Sequence, residues 1–245
     1  MIPYERQEKI SQLLTARELV KIDELKAYLP EVSYSTLRRD LKTLENEGKI
    51  EYLNGGGVKA VTTTRELPMA QKAELHSKQK GLIAGRAAEE VCDGESIYVD
   101  SGSNCALLLN DLLDRNITIY TTNTTIFNVT REFNATIILL GGRYTSSISS
   151  LSGTLTENNL STLYFDRAFL GVNGIDDEKG VTTPNISEAT KKRLIKNNAK
   201  KTYLLCDSSK FHRIATVQAF QLTDVVIISD RTDQIIGKQV PILVP

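Results

Sequence analysis

The sequence predicts an α/β protein whose mostly parallel, Rossmann-like sheet follows a small domain of three helices and a β-hairpin. Three observations predict it. Over residues 1–60, leucine and isoleucine recur at helical spacing in three short bursts, and a glycine-rich turn then separates two strand-like runs. From Glu95 onward, short β-rich apolar runs alternate with helical stretches, the pattern of a parallel sheet covered on both faces. Between the two, alternation fades through TTTRELP. The expected division is 1–60, a linker over 61–75, and 76–245.

In the first domain, Ile10, Leu13 and Leu14 mark one helical face, with Arg6 one turn earlier. Ile22, Leu25 and Leu29 mark a second helix, stopped by Pro30. Leu37, Leu41 and Leu44 mark a third, ended by Gly48, with Ser33 placed to accept a bond from a free first-turn amide. KIEYLNGGGVKAV then reads as strand, turn, strand, which completes a winged helix-turn-helix layout. A polar helical stretch is expected from about Met69 to Val91. Strands are expected at 96–100, 117–121, 136–140, 167–172, 201–206 and 224–229, with helices near 104–113, 124–133, 153–163 and 185–199. In such sheets ligands bind beyond the carboxyl ends of the strands.

Composition narrows the class. The 245 residues are 40% hydrophobic and 24% charged, ordinary for a globular protein, with thirty basic and thirty acidic side chains. Net charge therefore argues neither for nor against nucleic acid. Cys92, Cys105 and Cys206 are too dispersed for a disulfide framework or a zinc site, so no metal is expected and a reducing cytoplasm fits. The charged start MIPYERQEKI is unlike a signal peptide, and no apolar run is long enough to span a membrane. The six N-x-S/T triplets read as chance in a chain rich in Asn and Thr. Gly55–Ala60 satisfies G-x-G-x-x-A, but the β-branched VTTT that follows is not the helix a dinucleotide site needs. There is no P-loop and no G-x-S-x-G, and the only histidines are His76 and His212. No cofactor is expected.

VSYSTLRRDLKTLENEG (32–48) is the most specific local signal. With its leucines buried, Ser33, Tyr34, Ser35, Thr36, Arg38, Arg39 and Lys42 remain on or beside the other face. Small hydroxyls at a helix start followed by guanidinium groups suit the DNA major groove. Residues 1–60 carry ten basic and ten acidic side chains, so any positive footprint must come from arrangement. In 33–42, Asp40 is the one acid against three cations.

The chain resembles the DeoR family of bacterial transcriptional regulators. Arg6, Val32, Ser33, Thr36, Leu37, Arg38, Arg39, Asp40, Leu41, Leu44, Glu45 and Gly48 match its N-terminal pattern. Asn54 stands before Gly55 where the family's wing carries histidine, and both are expected at the DNA. In the second half, Asp100-Ser101-Gly102-Ser103-Asn104 follows a strand, opens a helix and offers amides and hydroxyls to a phosphate. It resembles the family's D-x-G-T/S-T, with Asn104 replacing threonine. Thr122-Asn123, Gly141-Gly142, Gly171 with Asn173-Gly174, and Asp207 with Lys210 resemble motifs at the ends of later strands. Glycines there would let a ligand approach backbone closely, and Lys210 offers it a charge. Glu188, Lys192 and Arg193 match a further motif, although the first two are also spaced for an exposed i,i+4 pair.

The resemblance implies a sensing domain related to sugar-phosphate isomerases and coenzyme-A transferases. It implies a homo-oligomeric DNA-binding repressor of a carbohydrate-use operon, which binds operator DNA and answers to a phosphorylated sugar or similar metabolite. Two alternatives stay open: an isomerase or transferase using Asp100, Glu188 or Asp207 as base, and a ligand-free dimerisation scaffold.

Overall fold

A computed structural model describes residues 2–17, 19–46, 50–53, 56–60 and 68–245. The chain separates into two compact units, Met1–Arg65 and Glu66–Pro245.

The first unit contains helices α1 (Pro3–Ala16), α2 (Ile22–Tyr28) and α3 (Tyr34–Asn46) and strands β1 (Val20–Lys21), β2 (Ile50–Leu53) and β3 (Gly57–Ala60). Ile10, Leu14, Leu25, Leu29, Leu37, Leu41 and Leu44 are buried together with Val20, Val32, Ile50 and Val58, so the predicted stripes do meet in one core. The hairpin is antiparallel, with Leu53 opposite Gly57, and β1 adds a short third strand against β3 that the sequence pattern did not announce. Asn54 and Gly55 lie outside the described residues.

Beneath α3, Arg6 of α1 grips Asp40: Nε donates to Oδ2 at 2.7 Å and Nη2 to Oδ1 at 3.1 Å. Both side chains are buried. The one acid within 33–42 is thereby turned away from the exposed face.

The second unit is built on a seven-stranded sheet, every pairing of which is parallel. Its strands are β4 (Ser96–Val99), β5 (Thr118–Thr121), β6 (Thr136–Leu139), β9 (Phe165–Gly171), β12 (Ala199–Leu205), β14 (Val225–Ile228) and β15 (Ile242–Leu243), in the order β15-β14-β12-β9-β4-β5-β6. All six predicted strands are present. Helices α5 (Ser77–Ala88) and α6 (Ser103–Leu112) contribute to one core, which includes Ile97 and Val99. Helices α7 (Thr154–Leu160) and α8 (Ile186–Asn197) contribute to the other, which includes Tyr98. The alternation along β4 is the period of two that a strand covered on both faces must show.

Three differences from expectation have physical causes. The helix expected at 124–133 is a short 3₁₀ turn, Thr124–Asn128, because the Asn123 side chain caps it through Thr125 N at 3.0 Å and two β-branched threonines follow. The stretch from Met69 is two helices, α4 (Met69–Glu74) and α5, broken where His76 adopts φ 56°. The expected linker is therefore helical over 69–74. A hairpin β7 (Arg143–Thr145)–β8 (Ser150–Ser152) and a small antiparallel sheet of β10 (Gly174–Asp176), β11 (Gly180–Thr183) and β13 (Val217–Phe220) also appear. The serines, threonines and glycines of β7, β8, β10 and β11 carry little apolar alternation, and β13 is only four residues long.

Removing one partner of a buried ion pair strands the other charge. Asp40→Ala is expected to cost the first unit about 3 kcal/mol, read by denaturant unfolding, while Arg38→Ala on the exposed face changes it by less than about 0.5 kcal/mol.

Candidate functional site

Helix α3 presents its polar face as the sequence predicts. Ser33 caps it: Thr36 N donates to Ser33 Oγ at 3.2 Å, and the same oxygen lies 2.9 Å from both Ser35 Oγ and Thr36 Oγ1. Tyr34 turns its hydroxyl to Asp23 Oδ1 at 3.0 Å, and this bond holds the phenol above its ordinary range. Arg38, Arg39 and Lys42 are exposed and, among the described residues, make no ion pair. The result is a cation-bearing helix face in a domain of zero net charge.

In the second unit the chain leaves β4 toward β5 and β6, then returns to β9 on β4's other side and continues outward to β12. The carboxyl ends of β4 and β9 thus form the point where the strand order reverses, and a crevice opens at such a point. Asp100 sits there, fully buried, with its amide bonded to the Phe169 carbonyl of β9. Gly102, at φ 140°, lets the chain turn sharply into α6, and its Cα lies against Gly171.

Around Asp100 the side chains form one network. Lys192 of α8 donates to Asp100 Oδ2, and Lys191 lies 3.6 Å from Oδ1. The Lys191 ammonium also donates to Ser150 Oγ at 2.9 Å, Glu188 Oε1 at 3.0 Å and Thr122 Oγ1 at 3.1 Å. Ser101 donates to Ser150 at 2.6 Å, and Ser150 in turn donates to Glu188 at 3.1 Å. Asn123 Nδ2 reaches the Asp100 carbonyl at 3.3 Å, and Tyr98 bonds Thr122 at 2.9 Å. Burial alone would push the Asp100 carboxyl up, but the two ammonium groups outweigh it and hold it below the ordinary carboxylate range. For Lys192, burial opposes the charge and Asp100 with Glu188 restores it, so its pKa is raised.

Glu188 and Lys192 are therefore not an exposed i,i+4 pair. Glu188 bonds Lys191, three residues on, and Lys192 bonds Asp100. Lys191 and Ser150 are central to the network and were missed by sequence reasoning. The doublet Lys191-Lys192 beside Glu188 was one available signal; Ser150 had none, because its hairpin was not foreseen. Arg193 lies outside the network and donates to the Ala219 and Gln218 carbonyls.

The other predicted residues divide. Ser103 opens α6, and Asn104 reaches the Leu205 carbonyl at 3.5 Å while its buried Oδ1 has no hydrogen-bond partner among the described residues. Asn104 thus links the Asp100 turn to the end of β12, where Asp207 and Lys210 stand. Asp207 accepts from the Ser209 amide at 3.2 Å and from its hydroxyl. Gly141 and Gly142 support the β7–β8 hairpin: a Cβ on Gly142 would overlap Thr156 Oγ1 and lie 2.8 Å from the Ser152 carbonyl. Asn173 accepts from Thr183 at 3.2 Å, and a Cβ on Gly174 would strike the Arg213 backbone. Close packing accounts for Gly142 and Gly174 without a ligand.

Lys192→Met would leave Asp100 short of its nearest counter-charge, at an expected cost of about 3 kcal/mol at neutral pH. Asp100 is depressed in the native protein, so the stability it contributes is present above the ordinary carboxylate pKa and is lost as pH falls through its native value. The gap between wild type and variant, read by denaturant unfolding, is therefore expected to narrow as pH drops through the carboxylate range.

The profile for the DeoR-like helix-turn-helix domain matches residues 6–64, and that for the DeoR C terminal sensor domain matches 75–231. The HTH-type transcriptional regulator GlpR of Haloferax volcanii is 32% identical, covering 95% of this chain and 91% of that protein. The uncharacterized HTH-type transcriptional regulator FruR of Bacillus subtilis is 31% identical over 96% and 94%. The lactose phosphotransferase system repressor of Staphylococcus epidermidis is 29% identical over 86% and 84%. Ribose 5-phosphate isomerase A of Methanocaldococcus jannaschii aligns with TM-score 0.41 and 17% identity, covering 56% of this chain and 55% of its own. Both domain profiles match in order, and full-length relatives align over nearly the whole sequence, so the chain belongs to the DeoR family of transcriptional regulators.

Proposed function

We propose that the protein is a repressor of a carbohydrate-use operon whose hold on operator DNA is controlled by a phosphorylated sugar or related metabolite. The observation that carries the DNA half is the exposed Arg38–Arg39–Lys42 face of α3, with Asp40, the one acid within 33–42, turned inward to Arg6. Arg at a major groove can grip guanine with two bonds, and Ser33, Ser35 and Thr36 can bond base edges or phosphates. Asn54 and Gly55 of the wing belong to the same proposed interface. The protein acts as a homo-oligomer on paired half-sites, about one helical turn apart or a multiple of that.

The metabolite occupies the crevice bounded by Asp100–Asn104, Thr122–Asn123, Gly171, Glu188, Lys192 and the Asp207–Lys210 turn. The lactose phosphotransferase repressor among the relatives supports the carbohydrate assignment by its name. The isomerase alternative is less well supported. A general base needs a pKa near the working pH and free reach to its proton, whereas Asp100 is buried, doubly paired and depressed. No helix among the described residues is long and apolar enough to cross a membrane, and a cytoplasmic protein fits the reading.

Duplexes enriched from a random pool on the full-length protein supply the operator, and fluorescence anisotropy reads its affinity. Arg38→Ala and Arg39→Ala are each expected to weaken binding by roughly 5- to 150-fold, the loss of about 1–3 kcal/mol of base contact. Unchanged affinity in both removes α3 from the interface. A panel of sugar phosphates should contain one that weakens wild-type operator binding about 5- to 150-fold, while the unphosphorylated sugars do not. Sugar-phosphate turnover above background would revive the enzyme reading.

A further inference from the structure

Two groups of charge lie at the crevice, and they balance differently. Around Asp100, two carboxylates meet two ammonium groups, each within 3.6 Å of an opposite charge. That network is neutral and spends its charges internally.

The second group surrounds Asp207, at the end of β12. Lys72, His76 and Lys80 follow one another at four-residue steps along α4, the His76 turn and α5, which packs against β12. The charges facing Lys80 are Asp207, Lys210 and Lys72, and those facing Lys210 are Asp207, Arg213 and Lys72. His76 and Lys80 both act on Asp207. The neighbouring Asp230 is committed to Ser208, accepting from its amide at 2.6 Å and its hydroxyl at 3.1 Å. One carboxylate therefore stands among a cluster of cations. Lys72 and Arg213 have other interactions as well, so the imbalance rests on Lys80 and Lys210.

Their surroundings fit a missing anion. Lys80 is 3% exposed, yet its ammonium donates to a backbone carbonyl, that of Lys72, and meets no carboxylate at ion-pair distance among the described residues. Burying a charged amine without a counter-charge is costly, and proteins pair such groups. Burial lowers its pKa to about 8. The Lys210 ammonium is half-buried and makes no hydrogen bond or ion pair among the described residues. His76 holds a buried Nε2 with no hydrogen-bond partner among the described residues. Asp207 has turned its carboxylate to Ser209 rather than to either lysine.

We propose that a phosphate-type dianion seats between Lys80 and Lys210 with His76 Nε2 as a third donor, and that the neutral Asp100 network contacts only the uncharged part of the same ligand. The inference rests on the metabolite reading above and moves the phosphoryl group from the Ser101–Asn104 turn to the end of β12.

Inorganic sulfate tests it on the full-length chain, because sulfate keeps its charge across the neutral and alkaline range. Saturable heat in calorimetric titration, against sodium chloride of matched ionic strength, reads the site; melting shifts do not, since sulfate stabilises any fold. Lys80→Met and Lys210→Met are each expected to weaken sulfate binding at least about tenfold, the loss of one charged hydrogen bond. In chloride alone, Lys80→Met should melt at or above the wild-type temperature, since an unpaired buried charge has gone. A merely structural lysine would lower it. Wild-type sulfate affinity should fall as pH rises through about 8, where Lys80 gives up its proton, and that step should vanish in Lys80→Met. Should Lys80→Met fail to fold, Lys210→Met and His76→Leu carry the test.

No saturable sulfate binding by the wild type overturns the site. So does unchanged affinity in Lys80→Met and Lys210→Met with loss in Ser103→Ala, which would return the anion to the Asp100 turn while leaving the metabolite reading intact. Operator release by inorganic phosphate alone would keep the site and overturn the sugar as its carrier.

Discussion

The second unit depends on the burial of four charges at the reversal point of its sheet. Asp100, Glu188, Lys191 and Lys192 are each nearly or fully out of water. Any one of them alone would cost several kcal/mol to hold there. Together they fix how the surrounding elements meet. Helix α8 must lie where its two lysines reach the end of β4, and the β7–β8 hairpin must close so that Ser150 bonds Lys191 and Glu188. The turn into α6 must bring Ser101 to Ser150. Segments far apart in sequence are joined by one set of hydrogen bonds and ion pairs at the carboxyl ends of β4 and β9.

The first unit uses the same physics to a different end. The charges of residues 1–60 sum to zero, yet DNA requires a positive surface. The Arg6–Asp40 pair is buried and, under the proposed function, also shapes the DNA-facing side. It joins α1 to α3, and it turns Asp40 away from the face carrying Arg38, Arg39 and Lys42. A neutral domain thereby acquires a positive side by burying a charge rather than by adding one.

Much of this was legible in the sequence, for identifiable reasons. The leucine stripes of α2 and α3 and the six β-rich runs are strongly periodic, and periodicity survives without tertiary information. The motif residues at the strand ends were legible because the connections of a parallel sheet bring strand ends together. What escaped was fixed by partners distant in the chain. Glu188 and Lys192 have the spacing of a surface pair, and only the arrival of Asp100 and Ser150 shows them to be buried and separately engaged. Lys191 looked like one lysine of two. Lys80 read as part of a polar helix, because nothing local reveals that it is buried. Gly142 and Gly174 suggested ligand approach, whereas Thr156 and Arg213 fill the space beside them.

The central claim is that operator and metabolite act on one equilibrium through two separate units. Linkage makes this reciprocal: whatever factor the metabolite imposes on operator affinity, the operator must impose on metabolite affinity. The direct measurement is calorimetric titration of the active sugar phosphate into the full-length protein, free and saturated with operator. The account predicts metabolite binding weakened in the complex by the factor, about 5- to 150-fold, by which the metabolite weakens operator binding. Equal metabolite affinity in both states would contradict it.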